Sequence, residues 1–218
     1  MAEKGMLKIL FSEITDRFRA RNIPLKFEKR DDGVHVVGYK ESLTPRCEVP
    51  STILGTPVKA IDARAFLGCP FLYEVWVRDG VEYIGANAFS GCESLTQIHM
   101  GDAVKEIDRN AFFECEHLFG ADLSPALETI GNGAFFGCSG LRDITLPDSL
   151  LYIGEQAFAN CVHLRSIKLP INLKKVYRNS FDNCPDLSAV FVERGSPADA
   201  VLSQSGYYAK ILRYIPRI

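Results

Sequence analysis

One interval governs this sequence. Phe66, Phe89, Phe112, Phe135, Phe158 and Phe181 are each 23 residues apart, and so are Cys69, Cys92, Cys115, Cys138, Cys161 and Cys184. Leu72, Leu95, Leu118, Leu141, Leu164 and Leu187 repeat the interval, as do Ile61, Ile84, Ile107, Ile130, Ile153 and Val176. Ala65, Ala88, Ala111, Ala134 and Ala157 follow it, with Ser180 as the last member. A unit of this length cannot bury its own apolar face. Stacked units can, because each coil covers the next, so identical slots become columns through a shared core.

The unit reads Ile-Gly-x-x-Ala-Phe-x-x-Cys-x-x-Leu-x-x-Ile-x-Leu-x-x-x-Leu, as in Ile130 to Leu150. Its Leu-x-x-Ile-x-Leu portion ends in the alternation of a strand with one buried face. Pro147 and Pro170 close two such strands, where a missing N–H does no harm. No repeat holds a stretch long enough for a regular helix. A partial first coil fits Arg46 to Pro50, aligned with Asp143 to Pro147, and the connection after it is longer by five residues through Leu54-Gly55-Thr56-Pro57. In this register Cys47 takes an isoleucine slot rather than a place in the cysteine column.

The pattern from Cys47 to Val192 resembles the BspA-like leucine-rich-repeat family of bacteria and some protists. The resemblance implies a right-handed leucine-rich-repeat solenoid with a parallel sheet on one face. It also implies ligand binding, often adhesion at a cell surface, rather than catalysis.

Solenoid ends need caps, since bare core and strand edges would otherwise face water. Residues 1–45 are expected to form an N-terminal cap, residues 46–195 the solenoid and residues 196–218 a C-terminal cap, all in one continuous unit. Leu7, Leu10, Phe11, Ile14 and Phe18 fall at helical spacing, so Met6 to Arg19 reads as an amphipathic helix that offers a surface for self-association. Leu25–Lys29 and Val34–Tyr39 flank Asp31-Asp32-Gly33, a hairpin signal. Ser196-Pro197-Ala198-Asp199 opens a short helix that stops near Gly206, and Lys210–Ile215 reads as a last strand.

Composition narrows the function classes. The 218 residues carry a net charge of −2, which argues against a nucleic-acid partner, and no apolar run approaches a membrane span of ~20 residues. The N-terminus lacks a signal-peptide core. The chain as written reads as cytoplasmic, or as cell-surface or secreted if a leader has been removed. Seven cysteines without a Cys-x-x-Cys pair do not make a zinc site, and a stacked column holds its thiols parallel rather than converging. They are expected to be a buried ladder of small thiols. Gly131-x-Gly133-x-x-x-Gly137 lacks the Lys-Ser/Thr of a phosphate loop, and its glycines fall in repeat slots. Cys115-x-His117 and Cys161-x-His163 resemble ligand pairs, but the cysteine of each should point inward and the histidine outward. No metal, cofactor or catalytic motif emerges. An enzymatic alternative would rest on an unrecognised site near the N-terminal cap, around Cys47 and His35.

The solvent-facing strand positions are different in kind. One outward column reads Glu48, Trp76, His99, Asp122, Thr145, Lys168 and Phe191. Its neighbour reads Glu74, Gln97, Gly120, Asp143, Ser166 and Ala189. Core slots keep their identity while these change at every coil, as a specific recognition face would. The expected protein-binding face is therefore Glu48, Glu74, Trp76, Gln97, His99, Asp122, Asp143, Thr145, Lys168 and Phe191, engaging an unidentified protein or surface ligand. Trp76, the single tryptophan, is either an exposed anchor on this face or is packed under the N-terminal cap.

Overall fold

The computed structural model describes residues 23–206 and 208–215. The helix expected over 6–19 lies outside them. The chain enters as a hairpin, β1 (Leu25–Lys29) and β2 (Val34–Tyr39), and then coils. The coils carry β3 (Arg46–Val49), β4 (Thr52–Ile53), β5 (Thr56–Ile61), β6 (Glu74–Val77), β7 (Tyr83–Ile84), β8 (Gln97–Met100) and β9 (Glu106–Ile107). They continue through β10 (Gly120–Asp122), β11 (Thr129–Ile130), β12 (Tyr152–Ile153), β13 (Ser166–Lys168) and β14 (Ala189–Glu193). Two short helices, α1 (Pro197–Leu202) and α2 (Tyr208–Ile211), precede β15 (Leu212–Ile215).

The Leu-x-x-Ile-x-Leu segments stack in parallel, in the order β10-β8-β6-β3 and, further along, β13-β14-β15. Alternation along β6 is plain: Val75 and Val77 are buried, while Glu74 and Trp76 face out. A second parallel ladder, not foreseen from the repeat, runs through β2, β5, β7, β9, β11 and β12. It is built from the Ile slot of each coil, as in Ile84↔Ile107 and Ile107↔Ile130. The hairpin supplies its first rung, because β2 adds parallel to β5 with Val36 opposite Ile61. The five extra residues after β3 form a hairpin of their own, β4 against β5, turned at Leu54 and Gly55, both at positive φ.

The turns are hydrogen-bonded from coil to coil as well. Phe66, Phe89, Phe112, Phe135 and Phe158 each donate their N–H to the Ala or Ser carbonyl before the next phenylalanine, at 2.7–2.8 Å. Five of the six turns place two residues in the left-handed region, among them Asn87 and Gly91 in one coil, Asn110 and Glu114 in the next, and Gly133 and Gly137 in the one after; the Phe181 turn has Asn183 alone. These slots favour Gly and Asn because a Cβ is costly there.

Inside the turns the six phenylalanine rings form one stack, with neighbouring centroids 4.8–5.7 Å apart and planes within 11°. Tyr39 covers its first ring, stacked at 5.9 Å, and Tyr208 closes the last edge-on at 6.4 Å. The hairpin and α2 therefore act as lids on one aromatic column.

The cysteine column is buried throughout, as expected, but it is not simply apolar. Each thiol from Cys92 to Cys184 donates to the carbonyl of the phenylalanine 26 residues earlier, at 3.0–3.2 Å. That carbonyl already accepts the N–H of the cysteine in its own coil, so the thiol occupies its second lone pair. Ser180, in the alanine slot, makes the equivalent bond to the Gly154 carbonyl at 3.0 Å.

Two expectations need correction. The strand expected around Ile144–Leu146 is reduced to a single bridge, Asp143↔Ser166, so the sheet lapses between β10 and β13. The preceding strand carries Ala121 where other coils place Val75, Ile98 or Ile167, and Gly120 beside it, both weak strand formers. The coil then returns through Gly140, whose N–H bonds the Glu116 carbonyl at 2.8 Å and whose Cβ, if present, would lie 3.0 Å from the Phe119 ring. At the C-terminus, Ser196 caps α1 by accepting the Asp199 N–H, and the helix ends at Leu202. Lys210 and Ile211, expected in the last strand, belong to α2, and the strand begins at Leu212.

Candidate functional site: the outward sheet face

Parallel pairing sets the outward columns in register. Glu48 lies opposite Trp76, Trp76 opposite His99 and His99 opposite Asp122. Beyond the lapse, Lys168 lies opposite Phe191 and Phe191 opposite Arg213. Glu74, Gln97 and Gly120 form the neighbouring column, and Ser166 pairs with both Asp143 and Ala189. Thr145 is exposed in the lapsed coil without a ladder partner, so the ten predicted residues fall into two groups rather than one unbroken strip.

In the first group the side chains bind one another. Arg46 Nε meets Glu74 Oε2 at 3.0 Å, His99 Nε2 meets Glu74 Oε1 at 3.2 Å, and His99 Nδ1 meets Asp122 Oδ2 at 2.5 Å. The line crosses four strands, β3, β6, β8 and β10. Trp76 stacks on the imidazole with centroids 3.7 Å apart and planes 16° from parallel. Arg78 reaches over the indole, its guanidinium carbon 5.7 Å from the ring, while its Nε donates to Glu48 at 2.9 Å. Trp76 remains 40% exposed, so it is not covered by the hairpin cap. One face of its ring is stacked on His99, and the Arg78 guanidinium also lies over the ring. Both imidazole nitrogens lie on carboxylates.

Arg46 was missed from the sequence although it heads the neighbouring outward column, opposite Glu74, because that column was begun at Glu74; Arg78 was missed because it lies beyond both columns. The cross-strand register sets Arg46 against Glu74, and the side-chain geometry brings Arg78 to Glu48. Two shallow depressions lie elsewhere, one beside Tyr39, Ala65 and Phe71 at the hairpin end, the other beside Arg178, Asp182 and Tyr208 at the helical end.

The other candidates resolve structurally. His35 Nδ1 meets Asp62 Oδ1 at 2.8 Å and Nε2 meets Asp32 Oδ1 at 3.1 Å, tying the hairpin to the first coil. Cys47 is 1% exposed, and burial with Cys69 nearby pushes its thiol up to about 12. The two therefore make no nucleophile–base pair. His117 Nδ1 meets the Glu93 carbonyl and His163 Nδ1 meets Asp186, while Cys115 and Cys161 point into the core. Gly133 and Gly137 are left-handed turn residues, and Gly131 is a close approach, where a Cβ would lie 2.6 Å from the Arg109 nitrogen. Among the described residues no group of three or more His, Cys, Asp or Glu is placed to hold a metal ion. No described helix is long and apolar enough to cross a membrane.

Stacked coils of about 23 residues, with a parallel strand face and a constant core, define a leucine-rich-repeat solenoid. This chain belongs to the BspA type: residues 59–188 match the BspA type leucine rich repeat region in six copies. A leucine rich repeat protein of T. pallidum is 32% identical with a TM-score of 0.73, the match covering 77% of this chain and 78% of the other. One from Bacteroides ovatus is 30% identical with a TM-score of 0.68, covering 78% and 46%. A protein of Faecalibacterium prausnitzii, described as a leucine rich cell surface protein, is 27% identical with a TM-score of 0.56, covering 77% and 52%. The chain thus spans about half the length of the latter two. No curated protein matches it.

Proposed function

We propose that the chain is a non-catalytic protein-recognition module whose ligand lies across the outward sheet face. The observation that carries this reading is Trp76, a large ring exposed on the sheet and held in one orientation by His99 and Arg78. A pre-positioned aromatic anchor loses little rotamer entropy on binding, which is why such residues dominate interface energetics. The bonds among Arg46, Glu74, His99 and Asp122 stiffen the surface around it. Neither Cys47 with His35 nor the Cys-x-His pairs supplies an alternative chemistry.

The test is photo-crosslinking with the full chain. A benzophenone side chain replaces Gln97 on the sheet face or Leu67, which is exposed in a turn. A defined partner band from position 97, absent from position 67 and lost with Trp76→Ala, is the expected result. Equal labelling from both positions, or labelling indifferent to Trp76, would sink the proposal.

The relation to a protein described as a cell surface protein favours a second reading, an adhesin. Protease treatment of intact native cells decides it. Rapid loss of the chain supports surface display, and full protection while the cells remain sealed rejects it.

A further inference from the structure

The two groups of outward residues differ in how their charges are satisfied. On the Trp76 side each arginine has a carboxylate: Arg46 has Glu74 and Arg78 has Glu48. Past the lapse, Arg142, Arg165 and Lys168 are exposed and make no ion pair or side-chain hydrogen bond among the described residues. Arg142 and Arg165 stand one coil apart, joined through the Arg165 N–H to the Arg142 carbonyl at 3.0 Å. Arg213 extends the cation row, in register with Phe191, and Phe191 is in register with Lys168. Asp143 is the exposed carboxylate among them. Ser166 and Ala189 leave the floor between them low, beside the half-buried ring of Phe191.

Adjacent like charges without counter-charge raise the energy of the free surface, and an incoming anion relieves it. Guanidinium forks suit carboxylates, which they bind two-pronged. We infer that this half of the sheet face receives an acidic segment of the protein partner, with carboxylates on Arg142, Arg165 and Lys168 and an apolar side chain against Phe191. A long polyanion fits less well, because the chain as a whole is negative and Asp143 and Asp122 border the patch. This inference rests on the sheet face being the recognition surface.

The experiment uses the full chain and a fluorescein-labelled 12-residue peptide of Glu and Ser with one central Leu. The comparison probes are the same peptide with Lys for Glu, and a heparin hexasaccharide. Anisotropy should show saturable binding of the Glu peptide, at least about tenfold tighter than the Lys peptide and weakened by salt. Arg142→Glu, Arg165→Glu and Lys168→Glu together should weaken it at least about tenfold, and the three Gln substitutions should do so to a smaller extent. The Gln variant serves if the Glu variant fails to fold. Absence of Glu-peptide binding at millimolar concentration, or binding equal in the variants, overturns the inference. So does a hexasaccharide that binds where the peptide does not. Leu67→Ala, in an exposed turn away from the sheet face, should leave this short peptide's affinity unchanged. A failure here with Trp76-dependent crosslinking intact removes the acidic-segment inference alone, whereas loss of that crosslinking removes the recognition-face reading.

Discussion

The indole of Trp76 lies flat on the imidazole of His99, 3.7 Å between centroids, and His99 is in turn held between Glu74 and Asp122. Neither residue is near the other in sequence. Parallel pairing of β6 with β8 makes them neighbours, and the carboxylates fix the imidazole so that the indole has a floor.

The first prediction concerns that pair. Trp76→Ala should lower partner affinity by about 2 kcal/mol, roughly thirtyfold, while changing stability by less than about 1 kcal/mol, because the ring is partly exposed. Since Trp76 is the single tryptophan, its emission reports on the site directly. His99→Ala should make that emission more accessible to acrylamide. Quenching unchanged by His99→Ala would show that the stack does not hold the ring.

Thiol chemistry tests the cysteine column. Burial pushes Cys47 and Cys92 up to about 12 and Cys184 to about 11. Alkylation at pH 8 should therefore be slow for the native chain and complete for all seven cysteines in urea. The same shifts set an alkaline limit. A thiol raised in the fold above its ordinary 9 keeps its full stabilising effect below pH 9 and loses it progressively as the pH rises towards 12. Thermal melts from pH 8 to 11 should show falling stability, less steep in Cys92→Ala.

The phenylalanine stack should be the stability centre. Phe112→Ala removes a ring contacted on both sides and is expected to cost about 3–5 kcal/mol by urea unfolding. Cys138→Ala should cost less, about 1 kcal/mol for the lost hydrogen bond, because the Phe112 carbonyl keeps the Cys115 N–H.

The left-handed slots give a stabilising substitution. Glu114 has φ +55 and an exposed side chain, so Glu114→Gly should stabilise by about 1 kcal/mol. Gly131→Ala should do the reverse, because its Cβ would strike the backbone of the preceding coil. Denaturant midpoints for the two variants should move in opposite directions.

Acid tests the cross-coil charge ladder. Lys105 and Lys59 hold Glu82, at 2.8 and 2.5 Å, and their hydrogen bonds draw its carboxyl down to about 2. A carboxylate lowered in the fold stabilises above its ordinary 4.5, and that contribution is lost as the pH falls towards 2. Melts between pH 5 and 2.5 should fall less steeply for Glu82→Gln. The effect is modest, since the groups are partly exposed and screened.

Much of this protein follows from its spacing alone. A period of 23 residues with invariant Phe, Cys and Leu slots and an Ile or Val slot admits stacked coils, because only stacking buries those slots. The same reasoning places the hairpin at Leu25–Tyr39, the Ser196 cap and the outward columns, since each depends on local turn chemistry or on strand alternation. What the sequence left open was set by contacts between coils. Whether Trp76 is covered depends on where the hairpin lands, and it lands on the other ladder, at β5. The thiol bonds need a carbonyl 26 residues away, a distance no local pattern encodes. The break at Asp143 arises where Ala121 and Gly140 let one coil lie differently on the next. That break separates the neutralised residues around Trp76 from the unpaired cations at Arg142, Arg165 and Lys168. A repeat fixes which residues share a column, whereas the partners of each charge depend on how neighbouring coils pack.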